Sequence, residues 1–147
     1  MKYINIVLVA LAITGLLFTA CDDPIDPDPD FSDSYPAYVE LTAPTYDASV
    51  DSAATEATLM AQVRIRVALG STTTVDYEYS GDVNGTGTAE IAAGDLTGPL
   101  TIDVSGDAVD GGSTTVTLTG ANNGLVVGRE NVSNDLSPTS AVITWSK

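Results

Sequence analysis

Histidine does not occur in this chain, and cysteine occurs once. The first absence removes the commonest general base and metal ligand. The second excludes an intramolecular disulfide and a thiolate-rich zinc site, each of which needs a further cysteine. Positive charge is nearly as scarce: five lysines and arginines face twenty aspartates and glutamates, for a formal net charge of −15. Such a surface repels nucleic acid and anionic lipid while keeping copies of the chain apart in solution. Beyond the first twenty residues no stretch places apolar residues at the three-to-four spacing of an amphipathic helix. These gaps leave little material for catalysis. A carboxylate pair of the glycosidase type is the one chemistry that composition does not remove, and a small domain with its acids in turns offers it poor support, so the chain reads as non-catalytic.

Lys2 followed by the apolar run Ile4 to Leu17 has the form of a targeting segment covering residues 1–20. It is shorter than the roughly 20 apolar residues that cross a bilayer, and no basic cluster follows it. The only cysteine, Cys21, stands where this run stops. After it comes "CDDPIDPDPDFSDSYP", with six aspartates and four prolines in residues 21–36. That composition buries too little apolar surface to fold, and it repels itself into an extended stalk. At about 3.1 Å per residue the stalk reaches roughly 45 Å. Asp26, Asp28 and Asp30 open with the spacing of an EF-hand loop. However, Phe31 stands where that loop needs glycine and Ala37 where it needs glutamate, so no defined calcium loop is expected.

Phe18-Thr19-Ala20-Cys21 resembles the lipobox of bacterial lipoproteins, although Phe18 departs from the usual aliphatic residue. The resemblance implies cleavage before Cys21, diacylation of its sulfur, and anchoring to a membrane by lipid. Several acyl chains acting together, at about 0.8 kcal/mol per buried methylene, make such an anchor effectively permanent. Asp22 and Asp23 with the acids behind them resemble the export signal of Bacteroidetes surface lipoproteins, which implies display on the outer face of the outer membrane. Aspartate directly after the cysteine also resembles an enterobacterial retention signal. The length of the acidic run favours the cell surface, with the periplasmic face as the alternative.

Residues 37–147 read as strands. In "TLMAQVRIRVAL" Leu59, Ala61, Val63, Ile65, Val67 and Leu69 alternate with Met60, Gln62, Arg64, Arg66 and Ala68, which predicts one buried face and one wet face. "TTVDYEYS", "PLTIDVS", "STTVTLTG" and "SAVITWS" repeat the pattern, separated by Gly, Asn and Asp clusters at 81–87, 105–112 and 120–124. About seven short strands in such a span predict an all-β fold, an antiparallel two-sheet sandwich of immunoglobulin-like type, with Trp145 and Tyr77 as its largest core residues.

The order of these segments around Gly87-Thr88-Ala89 and Gly94-Asp95-Leu96 is similar to that of Calx-beta domains. The resemblance implies loop carboxylates at one end of the sandwich, and by position these are Asp95, Asp107 and Asp110. Calcium takes six to eight oxygens, so these three offer a weak site at best, and solvated turn aspartates are the alternative. No other cofactor is expected. The function expected is a displayed structural, adhesive or docking module with a protein or glycan partner at the cell surface. A carbohydrate-binding accessory role is the second reading, with Tyr38 and Tyr46 as its candidate platforms.

Overall fold

A computed structural model of the chain describes residues 37–129 and 133–147. The targeting segment, the acidic stalk and the proposed lipidation and export residues Cys21, Asp22 and Asp23 lie outside them. The described chain forms nine strands: β1 (Tyr38–Leu41), β2 (Thr45–Ser49), β3 (Glu56–Ile65), β4 (Thr73–Gly81), β5 (Gly85–Ile91), β6 (Thr97–Ser105), β7 (Gly111–Ala121), β8 (Val126–Val127) and β9 (Ser140–Ser146). A single 3-10 turn, Gly106–Asp110, separates β6 from β7. The strands make two sheets, in the orders β6-β3-β1-β8 and β2-β9-β7-β4-β5.

Most neighbours are antiparallel, as expected for a sandwich. Two pairs are not: β1 runs parallel to β8 and β2 parallel to β9, so both sheets are mixed. The strands that no sequence pattern announces are short ones. β1 and β2 hold four and five residues, and β8 only two, too few to show a period.

Alternation decides what is buried. Along β3 the pattern is strict, with Leu59, Ala61, Val63 and Ile65 inside and Met60, Gln62 and Arg64 outside. It ends sooner than the sequence predicts. Beyond Ile65, whose N–H donates to the Leu96 carbonyl at 2.9 Å, the chain leaves the sheet. Val67, expected in the core, is therefore 56% exposed. Opposite β3, the inner face of the larger sheet supplies Val75, Tyr77, Val116, Ile143 and Trp145. The two predicted aromatics carry polar tips that must be satisfied once buried. Tyr77 donates its hydroxyl hydrogen to the Thr101 carbonyl of the facing sheet at 2.5 Å, and the Trp145 indole N–H donates to the Ala108 carbonyl at 2.7 Å.

Gly87, opposite Tyr77 in the β4–β5 ladder, lies under the phenol ring, where any Cβ would collide with it. At the edge where β5 passes to β6, Gly98 lies so close to the Glu90 carbonyl that a side chain there would strike backbone. These contacts close one side of the sandwich.

Candidate functional site

The inward positions of β1 are Val39 and Leu41, so Tyr38 and Glu40 belong to the outer face of the four-stranded sheet. A carboxylate there should be wet. Glu40 instead is 1% exposed, because two arginines and a following segment cover it. The β1–β3 register sets Glu40 beside Arg64. Arg64 donates from Nε and a terminal nitrogen to Oε1, at 2.7 and 2.6 Å. Ser137 Oγ donates to Oε2 at 2.5 Å, and Arg129 Nε lies 3.6 Å from the same oxygen. Burying a charge is expensive unless it is paired and hydrogen-bonded, and both Glu40 oxygens meet that condition.

Backbone contacts bring these partners in. The Leu41 N–H donates to the Pro138 carbonyl at 2.7 Å, laying the segment before β9 across β1. Gly128, at φ 71°, sits in the left-handed region that favours glycine and turns the chain out of β8. Arg129 follows directly. Its own N–H donates to Ser137 Oγ at 3.0 Å, its guanidinium donates to the Leu136 carbonyl, and the same guanidinium lies 5.3 Å from the centre of the Tyr38 ring.

Between these groups opens a cleft of about 320 Å³ lined by Tyr38, Glu40, Arg64, Ile65, Arg66 and Arg129. Three of the chain's five cations therefore face one cavity. The side chains of Arg64 and Arg129 remain 44% and 38% exposed. Of the five N–H donors on each guanidinium, Arg64 gives two to Glu40, and the rest are open to the cleft or solvent. Among the described residues no acid lies within ion-pair distance of Arg66. The cleft offers donors and positive charge.

The opposite end of the same face has the reverse character. A second cleft, about 520 Å³, is lined by Glu56, Ala57, Thr58, Asp103, Val104 and Ser105, and Thr58 Oγ1 donates to Asp103 Oδ1 at 2.7 Å. One outer face thus runs from acidic to basic along β3.

The residues singled out from the sequence are dispersed. Asp95 lies in the turn before β6, while Asp107 and Asp110 lie in the 3-10 turn after it. β6 is nine residues long, so at about 3.3 Å per residue the two turns stand roughly 26 Å apart. One ion cannot bridge that distance. Among the described residues no three histidine, cysteine, aspartate or glutamate side chains gather as metal ligands, and Asp110 is already 2.6 Å from Lys147 Nζ. The structure thus places Asp107 and Asp110 in one turn and does not bring Asp95 to them.

Tyr38 and Tyr46 do not form one platform either. The Tyr46 hydroxyl donates to the Gln62 carbonyl at 3.2 Å, accepts from the Ala43 N–H at 3.1 Å, and lies 3.0 Å from Thr42 Oγ1, fastening the bend between β1 and β2. Tyr38 sits at the other end of β1, in the arginine cleft. Glu40, Arg129 and Ser137 were not singled out by sequence reasoning. The available signal was the rarity of cations, each of which invites a search for its partner.

No family model and no curated protein sequence matches the chain. Solved structures do. The apo-form Calx CBD1 domain superposes with a TM-score of 0.53 at 14% identity, over 76% of this chain and 96% of that one. CBD12 from CALX1.2 gives 0.53 at 14% identity, over 74% of this chain and 44% of that one. The calcium-binding domain CBD12 of CALX1.1 gives 0.50 at 15% identity, over 73% and 44%. The chain thus spans nearly all of the CBD1 structure and under half of the two CBD12 chains. At these identities the shared property is the fold: the chain is a β-sandwich module of Calx-beta-like architecture.

Proposed function

We propose that this protein is a non-catalytic binding module, anchored by lipid at Cys21 and displayed by its acidic stalk on the outer membrane, with its docking face on the four-stranded sheet. One observation carries the binding part of this reading. The arginine cleft gathers planar guanidinium donors around a carboxylate whose two oxygens are both already engaged, by Arg64, Arg129 and Ser137. Such a site can retain an anion and has no base or nucleophile with which to transform it. Display rests on the sequence around Cys21 and on Asp22 and Asp23. The membrane partner is then the lipid bilayer.

Metabolic labelling with a clickable fatty acid, followed by membrane fractionation, tests the anchor. Wild-type chain should carry label and sediment with membranes, and Cys21→Ser should do neither. Equal membrane retention of the serine variant overturns the lipid anchor. Protease added to intact cells separates the two orientations: release of the domain means surface display, and protection until the outer membrane is permeabilised means the periplasmic face.

A further inference from the structure

From the arginine cleft we infer a binding site for a single uronic acid unit, a sugar ring bearing one carboxylate. This rests on the reading of the sandwich as a binding module and names the ligand class of that site. Electrostatics comes first. In a chain of net charge −15, the cleft gathers, among the described residues, three guanidiniums against one carboxylate, that of Glu40, so an anion is favoured here. That contrast favours small anions of low charge. A long polyanion or an acidic peptide would extend over Glu56 and Asp103 at the far end of the same face, where like charges oppose it.

Geometry then selects carboxylate. The planar guanidinium fork matches a carboxylate in a two-point pair, and Arg64 already places two donors on a carboxylate oxygen of Glu40. Arg66, free of acidic partners among the described residues, is the arginine with its fork to offer. Size and wall chemistry favour a sugar ring. A cavity of about 320 Å³ lies at the small end of ligand sites, which run from about 300 to 1,000 Å³. Tyr38, half-buried, gives it an apolar side on which the C–H face of a pyranose can rest while hydroxyls reach the remaining N–H donors of Arg64 and Arg129.

The test is calorimetric titration of the purified full-length protein in detergent micelles at low salt, with glucuronate, glucose, inorganic phosphate and an aspartate-rich peptide as separate probes. Glucuronate should bind saturably and glucose should not. Binding should weaken as salt is raised, because the pairing is partly exposed. Arg66→Gln should weaken glucuronate binding by about tenfold or more, the scale of one charge-assisted pair, and Arg66→Lys should restore part of it. The melting temperature of both variants should stay at the wild-type value, because Arg66 lies beyond the end of β3 and is exposed. Tighter binding of phosphate or of the peptide, equal binding of glucose, an Arg66→Gln protein that binds as well as wild type, or no binding by any probe overturns the inference. None of these outcomes alters the labelling result for Cys21, so failure here is distinguishable from failure of the anchored-module reading.

Discussion

Arg64 lies on the wet face of β3, and by that fact alone its replacement should matter little. Its contact with Glu40 predicts otherwise. Truncating Arg64 to alanine leaves Oε1 of a 1%-exposed carboxylate without its donors. Breaking a buried pair by removing one partner destabilises by about 3 to 5 kcal/mol. Two features reduce that figure here: Arg64 is 44% exposed, so water can reach the vacated position, and Ser137 and Arg129 still hold Oε2. About 2 to 3 kcal/mol is expected for Arg64→Ala, and more for Arg64→Asp, which sets a second carboxylate against the first. Glu40→Leu should destabilise less, by about 1 kcal/mol, because the arginines it abandons can hydrate. The double variant Glu40→Leu/Arg64→Met should lie near wild type, since replacing a buried pair by apolar groups of similar volume is often neutral. Urea unfolding followed by Trp145 fluorescence reads these differences. With a slope of about 1 to 3 kcal/mol per molar, the Arg64→Ala midpoint should fall by about 0.7 to 3 M. A fall equivalent to less than about 0.5 kcal/mol, or single effects that simply add in the double variant, would refute the argument.

Ile65→Asp, one residue along, should unfold the domain at ambient temperature, because an unpaired carboxylate in the core consumes much of a stability of about 5 to 15 kcal/mol; circular dichroism of a soluble, native-like variant would contradict the packing. Gly98→Ala should lower the melting temperature by several degrees, since its Cβ meets the Glu90 carbonyl and backbone has little room to yield, and an unchanged melt would show that β5 and β6 are not so close. Melting with millimolar calcium and with chelator should coincide, given the distance between Asp95 and the Asp107–Asp110 turn, whereas a ligand at a hundred times its dissociation constant would add about 2.7 kcal/mol. Burial raises the Tyr77 hydroxyl above the ordinary tyrosine range, more than its hydrogen bond to Thr101 lowers it. The neutral phenol is thus favoured in the folded state, and its stabilising contribution is intact below about pH 10 and fades as pH climbs through the folded value. Ultraviolet titration should show one tyrosine ionising after the others, and Tyr77→Phe should remove that late step.

What could be read in advance was whatever repeats. The β3 alternation, Tyr77 and Trp145 as core aromatics, and the two-sheet architecture follow from a period of two sustained over seven or more residues, which has one physical solution when one side must be dry. Val67 escaped because alternation says nothing about where a ladder stops, and the stop is set by Leu96, thirty-one positions from Ile65. The parallel strands escaped because direction of pairing leaves no mark in two to five residues. The arginine cleft was invisible for a different reason. Glu40 sits at a position that alternation assigns to water, and it is dry only because Ser137, 97 residues away, is brought onto it. Site composition, by contrast, left a trace: with so few cations in the chain, the company each one keeps is informative.

The place of β9 has a consequence for the order in which the molecule can be made. It follows the other eight described strands in sequence, yet it lies inside the larger sheet, with β2 on one side and β7 on the other, and Ser146 pairs with both Ser49 and Gly111. A chain emerging N-terminus first therefore holds β2 without a sheet neighbour and β7 with a bare edge until Ser140–Ser146 arrives. Closure is a single late event, dominated by contacts between distant parts of the chain, which form slowly. The same timing makes truncation unforgiving: synthesis that halts before Ser140 yields an open sheet edge destined for aggregation or proteolysis, and no partial domain with partial function.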